Sequence, residues 1–344
     1  MIDSQSGDKP VGKLIKPINI TVRPTLLILL GWVLGIGGLV CLVYFVLHFN
    51  DLELFLSLIE RADAIWLGAA LICQVLTYIF ASLVWKIVLD HAHSRLPFAT
   101  LLKIGFLQLF ANQILPTSGL SGTIIVLGAL RRRGIDGPVA LSGLLVDTLS
   151  YYAVYLVLAL IVFAFIWQRH LTGDEWLPVL LAFVLLAAAI LACLSLVDRT
   201  RDRILPRFLL RWRTGSYLAV WLQEMDPRAI RDSRIILWAS SCQCAVFLLD
   251  AATLWCIARS IGVDLGAAAA LASFLIASVI ATLAPLPLGL GSFESASIMA
   301  LHLFGVGPEA SLAATLMLRG LTLWLPMFPG LVLMRVEMAH RTEA

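Results

Sequence analysis

Glu294 and Arg319 are natural candidates for chemistry, because each interrupts a strongly apolar stretch. An ionised group at the centre of a bilayer costs at least about 2.5–3.5 kcal/mol on insertion scales, so such groups face the protein interior and usually pair. Glu294 lies in PLPLGLGSFES (285–295), between GAAAALASFLIASVIATLA and ASIMALHLFGV. Two readings of a Glu294–Arg319 pair stand: it handles a charged substrate group, or it braces the fold. Asp147 and Asp250 also lie within apolar runs, where hydroxyl or amide groups are the expected partners. Lys103, Gln108 and Asn112 are polar positions in a further apolar region, with Lys103 able to snorkel towards a membrane surface.

Other chemistries are weaker. Gly119–Gly122 reads GLSG, and Ser121 with His302 would suit an intramembrane serine protease of the rhomboid kind. A serine nucleophile needs a base within hydrogen-bond reach, and a four-residue match in a glycine-rich chain is little support. There is no Walker A loop, no HExxH and no cysteine-rich metal spacing. The six cysteines fall in apolar runs and read as packing residues, with no disulfide framework. No cofactor, metal or nucleic-acid partner is expected.

The elements that position these residues follow from composition. The chain has 344 residues, 60% hydrophobic and 14% charged, with a net charge of +3. Soluble domains carry roughly 25% charged residues, so this is an integral membrane protein. Six runs suit spanning helices, at about 25–48, 65–89, 138–166, 176–197, 235–258 and 310–334. Each meets the requirement of about 20 mostly apolar residues. Two further regions, 97–130 and 266–304, are apolar but broken by proline and glycine: Pro116, Gly119 and Gly122 in one, Pro285, Pro287, Gly289 and Gly291 in the other.

Basic residues favour the cytoplasmic side. The N-terminal tail carries Lys9, Lys13, Lys16 and Arg23, and Arg131, Arg132 and Arg133 form a basic block. The 198–234 segment holds nine arginines against five acids, which suits either an ordinary cytoplasmic loop or an interfacial helix on anionic lipid. These signs agree if both termini are cytoplasmic. The broken regions then enter and leave from one side, the first inside and the second outside.

The two broken regions also resemble each other. Each ends in a glycine–aliphatic pair, Gly134-Ile135 or Gly305-Val306, followed by a proline that opens a long span, Pro138 or Pro308. The expected fold is an all-α polytopic membrane protein. It has about six full transmembrane helices plus two Pro/Gly-broken re-entrant hairpins in an inverted repeat. Its parts are a tail (1–24), one transmembrane domain (25–335) with repeats at about 65–166 and 235–334, the basic loop, and a tail (336–344). Inverted repeats of interrupted helices mark transporters with a site near the midplane.

Asn112-Gln-Ile-Leu-Pro116 with its following Ser-Gly, then Arg-Arg-Gly134, resembles the first signature of the lysylphosphatidylglycerol synthase transmembrane-region family. PLPLGLGSFE and LMLRGLTLWLPMFPG (316–330) resemble the second. The family includes the flippase-like half of the bacterial multiple peptide resistance factor. Two departures stand out: Ser121-Gly122-Thr123 where many members have Gly-Glu, and Asp147-Thr148 where many have Glu-Arg.

The resemblance implies a non-enzymatic, multi-pass protein of the bacterial cytoplasmic membrane. It would move a phospholipid, aminoacyl lipid or polyprenyl-linked amphiphile between leaflets, without the soluble aminoacyl-transfer domain. Membrane lipids are the expected partners, with a separate lipid-modifying synthase as a further one. The expected translocation residues are Glu294, Arg319, Pro285, Gly289, Gly291, Asn112, Pro116, Gly122, Asp147 and Asp250. A small-solute or ion-coupled carrier and a scaffold for a synthase are the other readings.

Overall fold

The computed structural model describes residues 60–114, 120–169, 232–284 and 291–326, with positions 57, 178, 181–185, 187–189, 192 and 329. Among these residues the fold is all helix. Eight α-helices follow one another: α1 (Ala64–His91), α2 (Phe98–Ile114), α3 (Leu120–Arg132), α4 (Gly137–Gln168), α5 (Ser233–Ser260), α6 (Ala267–Leu283), α7 (Ser292–Leu303) and α8 (Pro308–Arg319). A π-helical turn, Gly320–Trp324, continues α8. The expected span at 25–48, the basic loop and both tails lie outside the described residues.

Among the described residues, three helices are long and apolar enough to cross a membrane: α1, α4 and α5, of 28, 32 and 28 residues. At 1.5 Å per residue they reach about 42–48 Å, beyond the ~30 Å hydrocarbon core. They match the spans expected at 65–89, 138–166 and 235–258. The run at 176–197 is only partly described; its Phe183 is buried edge-on against Tyr155 of α4 at 4.6 Å. Burial on these helices departs from that of a soluble protein at several positions. Ile72, Leu237 and Trp238 are 62%, 69% and 65% exposed, while Gln74 and Gln243 are 2% and 5% exposed. An aqueous protein hides its apolar groups and shows its amides, so this arrangement belongs in lipid.

The two broken regions each contain a pair of shorter helices. α2 and α6 have 17 residues each, and α3 and α7 have 13 and 12. Within each region the two helices pack against each other. The second half of the chain thus repeats the element order of the first, and the local chemistry repeats with it. Asp63 and Asp232 cap α1 and α5, each accepting from the N–H two residues on, at 2.8 and 2.9 Å. Each capping carboxylate satisfies one of the orphan donors at a helix start.

The helix ends repeat too. Gly134 and Gly305 have φ of 80° and 83°. Beyond them, the N–H groups of Ile135 and Val306 close back onto Leu130 and Leu301 at 3.2 and 3.1 Å. This is the Schellman closure, in which a left-handed residue lets the chain serve its own last carbonyls and brings two apolar side chains together. Both apolar pairs are buried. Pro138 and Pro308 then open α4 and α8, where a missing N–H costs nothing.

The long helices α1 and α5 form the central and most extensive packing pair. They run antiparallel. The Asp63 N–H at the start of α1 donates to the Ser260 carbonyl at the end of α5, at 2.8 Å. At the other end, His91 lies 4.0 Å from the Asp232 carboxylate. Corresponding helices of the two halves therefore point in opposite directions.

α4 lies against α1 through Gly143. A Cβ built there would meet the Trp85 ring at 2.8 Å and Val88 at 3.6 Å. Trp85 is only 6% exposed and has little room to retreat. Gly143→Ala should destabilise the protein by about 1–3 kcal/mol through overpacking, read as a lower unfolding midpoint in detergent. An unchanged midpoint would show that the Trp85 ring can rotate away.

Candidate functional site

Glu294 sits in the first turn of α7, immediately after the break of the second hairpin. Gly291 precedes the helix with φ of 82°, a left-handed conformation that glycine adopts without strain. One carboxylate oxygen of Glu294, Oε2, accepts from the Gly291 N–H at 2.6 Å. The other, Oε1, accepts from Arg319 Nε at 2.6 Å. Glu294 thus closes a helix start and holds a cation at once. Being acidic, it also suits the positive end of the helix dipole.

Arg319 is the last residue of α8. Its guanidinium lies over the Phe293 ring, 4.4 Å from the centroid, in the geometry of a cation–π contact. The side chains of Arg319 and Glu294 are 14% and 3% exposed. Ser297 and Thr315 bridge the same two helices one turn away, with hydroxyls 2.9 Å apart. α7 and α8 are therefore joined by two polar links within an apolar interface.

The segment after Arg319 departs from the uninterrupted span expected over 310–334. α8 ends there in regular form, and Gly320–Trp324 takes a π-helical turn. The cause is legible locally. The Leu325 N–H reaches five residues back to the Gly320 carbonyl. The next residue, Pro326, has no N–H to serve Leu321 in the same way. The Leu321 carbonyl instead accepts from the Tyr78 hydroxyl of α1 at 3.0 Å. Such π turns are frequent at functional sites.

A second polar cluster joins α1, α4 and α5. Asp147 of α4 accepts from Gln243 Nε2 of α5 at 2.8 Å. Asp250 of α5 accepts from the Thr77 hydroxyl of α1 at 3.2 Å. Tyr151 stands in the field of both carboxylates. These partners are the amide and hydroxyl groups that an acid in an apolar span calls for. Among the described residues neither Asp147 nor Asp250 has a basic partner, and neither joins the Glu294–Arg319 pair.

Of the other expected site residues, Gly291 is placed at the hairpin break as described. Asn112 and Gly122 fall in α2 and α3, but their surroundings lie outside the described residues. So do Pro116, Pro285 and Gly289 altogether. His302 is exposed at the end of α7, its Nδ1 3.2 Å from the Val306 carbonyl; the side chain of Ser121 lies outside the described residues. Lys103 is exposed. No group of His, Cys, Asp and Glu suited to a metal ion occurs among the described residues. Sequence reasoning missed Gln74, Thr77, Tyr78 and Gln243. Amides isolated within apolar runs were the available signal.

Truncating one member of a buried ion pair leaves the other charge uncompensated, at a cost of about 3–5 kcal/mol. Glu294→Ala and Arg319→Ala should each lower stability by that order. Removal of both should cost less than the sum of the two, by about 1–3 kcal/mol. Additive losses in a double-mutant cycle of unfolding in detergent would show that the two residues are not coupled.

Comparison with known proteins follows the same residues. A search of curated proteins returned no match. Residues 28–330 match the family described as the lysylphosphatidylglycerol synthase TM region. That match spans nearly the whole chain and includes Glu294, Arg319 and both broken regions. The chain is a multi-pass membrane protein that belongs to the lysylphosphatidylglycerol synthase transmembrane-region family, a family tied to membrane lipid.

Proposed function

We propose that this protein is a lipid translocator of a bacterial cytoplasmic membrane, carrying the head group of a phospholipid, aminoacyl lipid or polyprenyl-linked amphiphile between leaflets. The observation that carries the reading is the buried Glu294–Arg319 pair at the break of the second hairpin. A phosphate-bearing head group competes with Glu294 for Arg319. A cationic aminoacyl substituent competes with Arg319 for Glu294. An ion pair can therefore open to a charged head group and close behind it without leaving either charge bare in the membrane.

The described half-helices support a re-entrant geometry. At 12–17 residues, they span about 18–26 Å, less than the ~30 Å core. The antiparallel arrangement of α1 and α5 fits an inverted repeat in which one hairpin opens inward and the other outward. Interrupted helices at depth are tolerated where they line a cavity. In this reading, alternate exposure of the two hairpins carries the head group across, and the protein is a transporter, not an enzyme.

The test is flipping in reconstituted vesicles. Head-group-labelled phosphatidylglycerol and its lysyl derivative are followed with a membrane-impermeant quencher. The wild-type chain should expose label that is protected in protein-free vesicles. Arg319→Lys keeps a charge but loses the planar fork of donors, and Arg319→Gln loses the charge. Both should slow exposure, Gln at least about tenfold, corresponding to about 1.4 kcal/mol of barrier. Equal rates with and without protein would remove these lipids as substrates and favour a small-solute carrier. Undiminished flipping by folded Arg319→Gln protein would remove the ion pair from the route.

A further inference from the structure

The head-group reading makes no use of the cluster around Asp250. Its hydrogens can be counted. The Tyr78 hydroxyl has one proton, donated to the Leu321 carbonyl at 3.0 Å. The Thr77 hydroxyl has one proton and two acceptors at 3.2 Å, Asp250 Oδ1 and the Cys73 carbonyl. The Gln74 amide approaches both Asp250 and Tyr78. Gln74 is 2% exposed, and its Oε1 has no hydrogen-bond partner among the described residues.

A buried acceptor without a donor costs about 1–3 kcal/mol, and an unpaired carboxylate at membrane depth costs more. The cluster lacks one hydrogen and one positive charge. A single proton on Asp250 would supply both, with the neighbouring Gln74 oxygen as the acceptor for its new O–H. Among the described residues, the groups around Asp250 do not supply that charge. α1 presents Cys73 and Tyr78, and α4 presents Asp147, Tyr151 and Tyr152. Of the other helices packed on α5, α6 has no titratable residue, and α8 carries Glu309 and Arg319, the latter joined to Glu294.

We propose that Asp250, bonded by Thr77 and flanked by Gln74, is a proton-binding site in the membrane interior, and that its loading and release are coupled to the movement of the segment carrying Arg319. The step is one protonation, carboxylate plus H⁺ giving the neutral carboxyl. The route of coupling is short. Gln74 and Thr77 lie on the same helix as Tyr78, and Tyr78 holds the Leu321 carbonyl two residues beyond Arg319. The coupling half of this inference rests on the translocation reading above; the proton site itself does not.

Two measurements on the full chain separate the halves. The first is infrared spectroscopy of the purified protein across pH. A titrating carboxyl C=O band should be present in wild type and absent in Asp250→Asn. In Gln74→Leu the band should persist but shift to higher frequency, because the carboxyl loses its acceptor. No titrating band, or one that survives Asp250→Asn and vanishes in Asp147→Asn, overturns the site. So does an unshifted band in Gln74→Leu, a reading that holds even if Asp250→Asn fails to fold. The second measurement is flipping under an imposed pH gradient, expected to change the wild-type rate about tenfold and the Asp250→Asn rate not at all. Dependence on a Na⁺ gradient alone overturns proton coupling. A titrating band without flipping rejects the lipid reading and keeps the site, whereas flipping without a band rejects only the site.

Discussion

A bilayer interior offers no hydrogen-bond partner, so every break in these helices must be closed by the protein itself. That constraint accounts for the placement of the polar side chains. Gly291 begins α7 with an N–H that Glu294 accepts. Pro326 leaves the Leu321 carbonyl without its π-helical donor, and Tyr78 supplies one from α1. Gly134 and Gly305 allow the chain to turn back and satisfy the ends of α3 and α7. In each case a conformational irregularity and its compensating donor or acceptor come as a pair. In water either member could change alone at modest cost.

Glu294 shows how closely closure and charge are linked. Its two oxygens serve different masters, a backbone N–H and a guanidinium. Displacing Arg319 leaves Oε2 on Gly291, so the helix start can persist while Oε1 becomes available. A buried pair is weak support for stability, because apolar replacements of similar volume are often as good or better. Here the pair keeps two opposite charges together in a buried interface, each neutralised by the other. The Phe293 ring adds a cation-binding surface that does not depend on Glu294.

Much of this was legible in the sequence because the expensive residues are conspicuous there. Glu294 and Arg319 stand out against apolar neighbours, and the Gly134 and Gly305 turns were visible as glycine–aliphatic pairs ahead of a proline. The three longest described helices fall on apolar runs of sufficient length. The donor that serves the π turn was not legible, because Tyr78 lies 243 residues away in the chain from Leu321. Nor were the amide partners. Gln243 is 96 residues from Asp147, and Thr77 is 173 from Asp250. A lone glutamine or threonine in an apolar helix carries no charge to mark it. Only the packing of α5 against α4 and α1 reveals that each answers a carboxylate.

That packing also ties the two polar regions together. α1 is the shared element: Gln74 and Thr77 turn towards Asp250, and Tyr78 reaches Leu321. Both contacts are made from adjoining positions of one helix, which thereby holds Asp250 on one side and the π turn beside Arg319 on the other. A regular helix would have no spare carbonyl there, and α1 would have nothing to hold. The missing N–H of Pro326 is what makes the segment after Arg319 answerable to its neighbour. The same proline that disrupts the helix thereby provides a physical link, through α1, between Asp250 of α5 and the segment that carries the ion pair.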